Sequence, residues 1–193
     1  VRADNARFES FLTGTIVENI RGLGRFDGAR LQFRDISGTT SGGGAVRGDG
    51  DFNFSASGFG VDVRLQATRA ALLVRDDVSG RVTGPIRIVS TGAGGSISGD
   101  LQLDEGRYRL GQATAVDALP VIRVVERNVP ADRPEPRLAT APWSLDLHVR
   151  GSDSLIVTGL GLDSRWSSDL RVNGLVSNFA ISGVARLSRG DYQ

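Results

Sequence analysis

A catalytic or metal site needs several reactive side chains brought together, and this sequence offers few. Its single histidine, His148, lies between Leu147 and Val149, and no cysteine occurs anywhere in the 193 residues. Without a second histidine or a thiol it can complete neither a zinc site nor a nucleophile relay. Alternation puts it on the polar side of a strand, as a surface histidine. The carboxylate pairs Asp76-Asp77 and Asp104-Glu105 read as turn residues beside strands, and adjacent strand residues point to opposite faces, which does not suit shared acid and base work. Gly42-Gly43-Gly44 and Gly92-Ala93-Gly94-Gly95 lack the Lys-Ser/Thr ending and following helix of a phosphate loop, and read as hairpin tips. Arg189-Gly190-Asp191 spells an adhesion tripeptide but falls where the turn of a repeat is expected. No catalytic residue, metal or cofactor is expected, and the chain does not read as an enzyme.

Charge names no partner either. All 23 basic residues are arginine, against 22 acidic ones, for a formal net charge of +1. Nothing here draws in nucleic acid. No run reaches the roughly 18 to 20 apolar residues of a spanning helix, and Val1-Arg2-Ala3-Asp4-Asn5 has no signal-peptide core. With no methionine present, the expectation is a fragment of a longer protein whose anchor or export signal lies elsewhere.

The elements that must position these residues are strands. The 26 glycines stand between short stretches rich in Val, Leu, Ile and Phe, which predicts many strands and tight turns. Apolar residues recur at every second position: Val61, Val63, Leu65 and Ala67, with Asp62, Arg64 and Gln66 opposite; then Val78, Val82, Ile86 and Ile88. The series continues through Ile97, Leu101 and Leu103, then Leu145, Leu147 and Val149, then Leu155 and Val157. Gly159 and Gly161 mark a change of phase that carries the apolar face on to Leu160, Leu162, Trp166, Leu170 and Val172. Phe179, Ile181, Ala185 and Leu187 form the last strand, and earlier strands are predicted over Phe11 to Ile20, Leu31 to Arg34 and Asp51 to Ser57. The chain reads as one all-β domain over 1–193. Residues 117–142 hold five of the six prolines and read as an excursion within it, with an edge strand at Val121 to Val125, the alternative being an inter-domain linker.

A repeat is also present. Ile86-Arg87-Ile88 is followed by Ile97-Ser98-Gly99, Leu103, Gly106 and Tyr108, and Leu170-Arg171-Val172 by Ile181-Ser182-Gly183, Leu187, Gly190 and Tyr192, at identical spacing. Strand, turn and strand have been reused, which suits an elongated structure assembled from hairpins.

A sheet with one apolar face must cover it, and no amphipathic helix is evident to do so. A sandwich, a closed barrel and a curled trough remain. Ten to fourteen strands would make a trough of roughly 50 to 65 Å. Burying an acyl chain along it is worth at most about 0.8 kcal/mol per methylene.

The stretch Val157-Thr158-Gly159-Leu160-Gly161-Leu162-Asp163-Ser164-Arg165-Trp166, continuing Ser167-Ser168-Asp169-Leu170-Arg171-Val172-Asn173-Gly174, resembles the C-terminal domain of the TamB family. So does Gly183-Val184-Ala185-Arg186-Leu187-Ser188-Arg189-Gly190-Asp191-Tyr192 and, more weakly, Thr13-Gly14-Thr15, Gly28-Ala29-Arg30-Leu31 and the stretch from Gly42 to Asp51. The resemblance implies a periplasmic segment of an inner-membrane-anchored protein that works with an outer-membrane barrel partner, TamA, and has AsmA-like relatives. It implies a folded-over β-sheet with an apolar groove, and roles in autotransporter assembly and in phospholipid transport to the outer membrane. On that basis the groove is expected to hold phospholipid or another acyl-chain ligand, lined by Val63, Leu65, Ile86, Ile88, Ile97, Leu101, Leu103, Leu145, Leu147, Val149, Leu155, Val157, Leu160, Leu162, Trp166, Leu170, Val172, Phe179, Ile181 and Leu187. The rival expectations are a chaperone-like module that pairs with strands of unfolded outer-membrane proteins and a fragment of an outer-membrane barrel.

Overall fold

A computed structural model describes residues 1–10, 13–55, 58–92, 94–111, 142–176 and 178–192. They form ten strands: β1 (Arg2–Ser10), β2 (Thr15–Asp27), β3 (Arg30–Thr40), β4 (Ala45–Ser55), β5 (Gly58–Val74), β6 (Val78–Ser90), β7 (Gly95–Arg109), β8 (Trp143–Gly159), β9 (Leu162–Leu175) and β10 (Asn178–Tyr192). All ten lie in one sheet in sequence order. Every neighbouring pair is antiparallel except β7 and β8, which run parallel. The fold is all-β, a curled mixed sheet, and its described strands do not close into a barrel.

The strands are longer than the glycine spacing predicts, because many glycines lie within strands rather than between them. Gly48 and Gly50 in β4, Gly84 in β6 and Gly99 in β7 each stand across from a bulky residue or close against a neighbouring backbone. A Cβ on Gly50 would meet the Val63 and Phe52 side chains at 3.2 and 3.0 Å, and one on Gly48 would collide with the carbonyl oxygen of Arg64. Glycine inside a strand marks close approach, and here it lets large neighbours lie over it.

The curl has a local cause. Register shifts interrupt the ladders of β1, β2, β3, β5 and β8, and on each of these strands one shift holds a non-glycine residue at positive φ: Asn5, Asn19, Asp35, Arg69 and Asp153. Such bulges bend the strand and sharpen its twist. β5 outruns the shorter β3 and β4 and meets the start of β2 past the β3–β4 turn: Val74 N–H donates to Thr13 O at 2.7 Å, and Thr15 Oγ1 to Leu72 O at 2.6 Å. Around this crease lies the buried apolar core, Val46, Ala67, Ala70, Val82, Ile86, Leu101 and Leu103, all on β4 to β7.

Several local expectations need correction. Of the strand predicted over Phe11 to Ile20, Thr13 and Gly14 instead form a turn, with Gly14 at φ 66°, and only Thr15 to Ile20 are strand, the start of β2; residues 11 and 12 lie outside the described residues. Asp104 and Glu105 are not in a turn but within β7, where its ladder with β8 shifts register. Arg189-Gly190-Asp191 likewise sits inside β10, with Gly190 opposite Ser164. Leu160 does not extend a strand: it occupies the tip of the β8–β9 turn at φ 53°, 75% exposed. The proline-rich stretch 117–142 and its expected edge strand lie outside the described residues, apart from Pro142.

Candidate functional site: the apolar face

Paired residues share a face of a sheet, so the register sorts the side chains into rows. One row runs Val63, Ile88, Ile97 and Leu145, and ends through Gly174 on Phe179. Beside it lie Leu65, Ile86, Gly99, Leu147, Val172 and Ile181. The next carries Leu101, Val149, Leu170 and Gly183, with Val82 and Leu103 paired further along. Gly106, Leu155, Trp166 and Leu187 follow, then Tyr108, Val157 and Ser164, and finally Leu162 opposite Gly159. The alternation read from sequence therefore places the expected residues on one face, Leu160 excepted.

Their surroundings differ along the sheet. Ile86, Leu101 and Leu103 are sealed in the core at β6 and β7. Val63, Leu65, Ile88, Ile97, Leu145, Leu147, Val149, Leu155, Val157, Leu162, Trp166, Leu170 and Val172 are half-buried, and Phe179, Ile181 and Leu187 on β10 are exposed. From β8 onward the fully buried side chains are polar, Ser164 and Ser168. Beyond sequence-adjacent strands, the principal contacts among the described residues are those of β5 with β2 and β3, so no described element forms a second layer over the apolar face of β8 to β10.

Trp166 is held in place on this face. Its indole Nε1–H donates to Ser164 Oγ at 2.9 Å, and that hydroxyl donates to Val157 O at 3.0 Å. The expected list also missed a cluster on β2 to β5. Phe26 stacks on Phe54 at 5.8 Å, Phe52 on Phe59 at 5.8 Å, and Phe33 meets Phe52 edge-on at 5.7 Å. The clue was present in sequence, since five of the eight phenylalanines fall between Phe26 and Phe59.

The opposite face is ionic. Arg87 grips Asp62 with Nε and Nη2 at 3.1 and 3.0 Å, and this bond, with Arg64 alongside, holds the Asp62 carboxyl below its usual range. His148 does lie on this side, its Nε2–H donating to Asp169 at 2.7 Å, which lowers the Asp169 carboxyl in turn. Arg150 donates to Asp100 at 2.7 Å. No group of three or more potential metal ligands converges among the described residues. Such short-range pairs tie neighbouring strands together on a solvated surface.

The family model of the TamB C-terminal domain matches residues 34–193. No curated protein and no solved structure matches the chain. With the match covering most of its length, the chain belongs to the TamB family, carries that family's C-terminal domain and has a part in outer-membrane biogenesis.

Proposed function

We propose that the apolar face is the wall of an open groove that binds phospholipid acyl chains and lets them slide across the strands on their way between membranes. The observation that carries this reading is the largely apolar surface from β8 to β10, which no described element covers. Its residues are mostly Leu, Val and Ile, so contact is strong per methylene but undemanding in shape. Such a surface holds an acyl chain without gripping one species. No catalytic step and no cofactor enter this reading. A periplasmic location, an inner-membrane anchor elsewhere in the protein and a TamA-like barrel as outer-membrane partner complete it. The TamB domain is consistent with that location, and no helix among the described residues is long and apolar enough to cross a membrane.

Photo-crosslinking in cells tests it, with the probe at Leu147 or Leu170 on the apolar face and at Arg171 as the outward control. Phospholipid adducts at the first two and none at the third are expected. No lipid at any of the three in a working protein would remove the reading.

One observation favours a second reading, a module that receives strands of unfolded outer-membrane proteins. Among the described residues β10 pairs only with β9, and it is exposed along its whole length. An open edge is a template for another strand. Proline placed along β10 separates the two: it should abolish strand capture and leave lipid adducts at Leu147 intact.

A further inference from the structure

On the part of the apolar face that no described element covers lie two hydroxyls that no described residue pairs. Ser168 sits between Trp166 and Leu170 on the apolar side of β9, opposite Gly151 of β8 and Ala185 of β10, and is 6% exposed. Ser154 follows Asp153 at the β8 bulge, and the bulge turns its side chain back over Gly151. A Cβ on Gly151 would collide with Ser154 Oγ and lie 2.9 Å from Cβ of Leu103, so only glycine leaves that hydroxyl its place. Both Oγ atoms are buried, and neither has a hydrogen-bond partner among the described residues.

Serine on this face is not left unpaired by necessity. Ser164, four residues before Ser168 and on the same side, both donates and accepts. A buried hydroxyl without a partner costs stability that alanine would not. One lying over Gly151 and the other on the residue paired with it mark a place that expects a polar atom from elsewhere.

We infer that Ser154 and Ser168 form a polar subsite in the floor of the groove that donates hydrogen bonds to the carbonyl oxygen of an ester-linked acyl chain. The residues paired with or next to them on this face, Trp166, Leu170, Leu155, Ala185 and Leu103, bring no charge, which suits a neutral acceptor rather than a phosphate or carboxylate. A carbonyl oxygen has two lone pairs, one for each hydroxyl. The subsite gives an otherwise featureless groove a point of register, where a sliding chain pauses with its ester at the β8–β9 bulge. This rests on the acyl-chain reading above.

The test compares an ester-linked monoacyl phosphatidylcholine with its ether-linked analogue, which has the same chain and headgroup but no carbonyl. The full chain should bind the ester roughly three- to ten-fold more tightly. Ser154→Ala with Ser168→Ala should abolish that preference by weakening the ester alone, while the ligand-free thermal midpoint stays level or rises. Equal binding of the two lipids to the unaltered chain, or a preference that survives the double substitution, would overturn the subsite and leave only a site for water, with the groove standing. Failure of both lipids to bind would overturn the groove and the subsite together.

Discussion

The backbone N–H of Arg69, a residue at φ 46° in the β5 bulge, donates to Thr83 Oγ1 on β6 at 2.9 Å. The same device recurs at the same separation. Asp35 N–H donates to Asp49 Oδ1 at 3.3 Å and Asp153 N–H to Ser167 Oγ at 3.1 Å, each pair 14 residues apart. In every case the bulge residue is left-handed, and the partner is a side-chain oxygen on the next strand. A bulge withdraws one N–H from the ladder, and a neighbouring oxygen takes it up. The crease that curls the sheet is therefore written as pairs of positions, one on each strand.

Thr83 is the best place to test this, because its hydroxyl also donates to Asp104 Oδ2 at 2.6 Å and so links three strands. Thr83→Val keeps the shape and the strand preference but loses both bonds. It should cost about 1 to 2 kcal/mol, read by urea unfolding. Arg69→Gly should do the reverse, raising stability by about 0.5 to 1 kcal/mol, because relieving the roughly 1 to 2 kcal/mol that a side chain costs in a left-handed backbone outweighs the roughly 0.5 to 1 kcal/mol of extra chain entropy that glycine loses on folding. A destabilised Arg69→Gly variant would show that the arginine side chain, not the bulge, holds this point.

How much of this was legible follows from range. The faces were, since a two-residue period needs no partner: Val61 to Ala67 and Leu145 to Val149 sort correctly from sequence alone. The repeat was also legible, and it predicts pairing: Ile86 faces Gly99 as Leu170 faces Gly183, and Val82 faces Leu103 as Trp166 faces Leu187. The bulges were not. Asn5, Asn19, Asp35 and Asp153 are residue types that tolerate positive φ, but they also populate ordinary turns, and Arg69 gives no hint at all. The parallel pairing of β7 with β8 left no local trace, because it joins segments far apart in sequence. Glycine in a sequence points to a turn because that is its commoner use. Which apolar residues are sealed and which lie open depends on neighbours two strands away, as the contrast of Leu103 with Leu170 shows.

The strand glycines give a sharp pair of substitutions. A methyl group at Gly48 would run into the Arg64 carbonyl and the Leu65 Cα across the ladder, whereas one at Gly80 would meet nothing nearer than Leu103 Cδ1 at 3.9 Å. Neither glycine has positive φ, so sterics alone separate them. Gly48→Ala should cost about 3 kcal/mol or more, while Gly80→Ala should leave stability within about 1 kcal/mol, rising if anything. Thermal unfolding of the two variants side by side checks it.

Acid should loosen the sheet through its ionic face. Asp62 is lowered chiefly by the hydrogen bond from Arg87, and Asp153 by bonds from the Ser188 and Ser167 hydroxyls. A carboxyl lowered on folding adds stability that is present above its unfolded value near pH 4 and is lost as pH falls through the folded value. The thermal midpoint should therefore drop below about pH 4. Asp62→Asn should start lower at neutral pH and lose less on acidification. A parallel decline in both proteins would place the acid sensitivity elsewhere. Because these groups stand largely in solvent, added salt should shrink the difference.

The duplication supplies a control that few proteins offer, the same residue in the same hairpin with and without a neighbour. Leu103 on β7 and Leu187 on β10 hold equivalent places, yet Leu103 is 9% exposed and Leu187 55%. The difference arises because β8 lies against β7, whereas β10 is the edge of the sheet. Leu103→Ala should open a cavity and cost about 2 to 5 kcal/mol. Leu187→Ala removes little that is buried and should cost less than about 1 kcal/mol. If the exposed half serves binding, Leu187→Ala should still reduce lipid capture in cells at unchanged protein level, an effect that loss of fold cannot explain. Equal destabilisation by the two substitutions would mean that something covers β10 in the working protein, and that its apolar edge is an interface rather than an open wall.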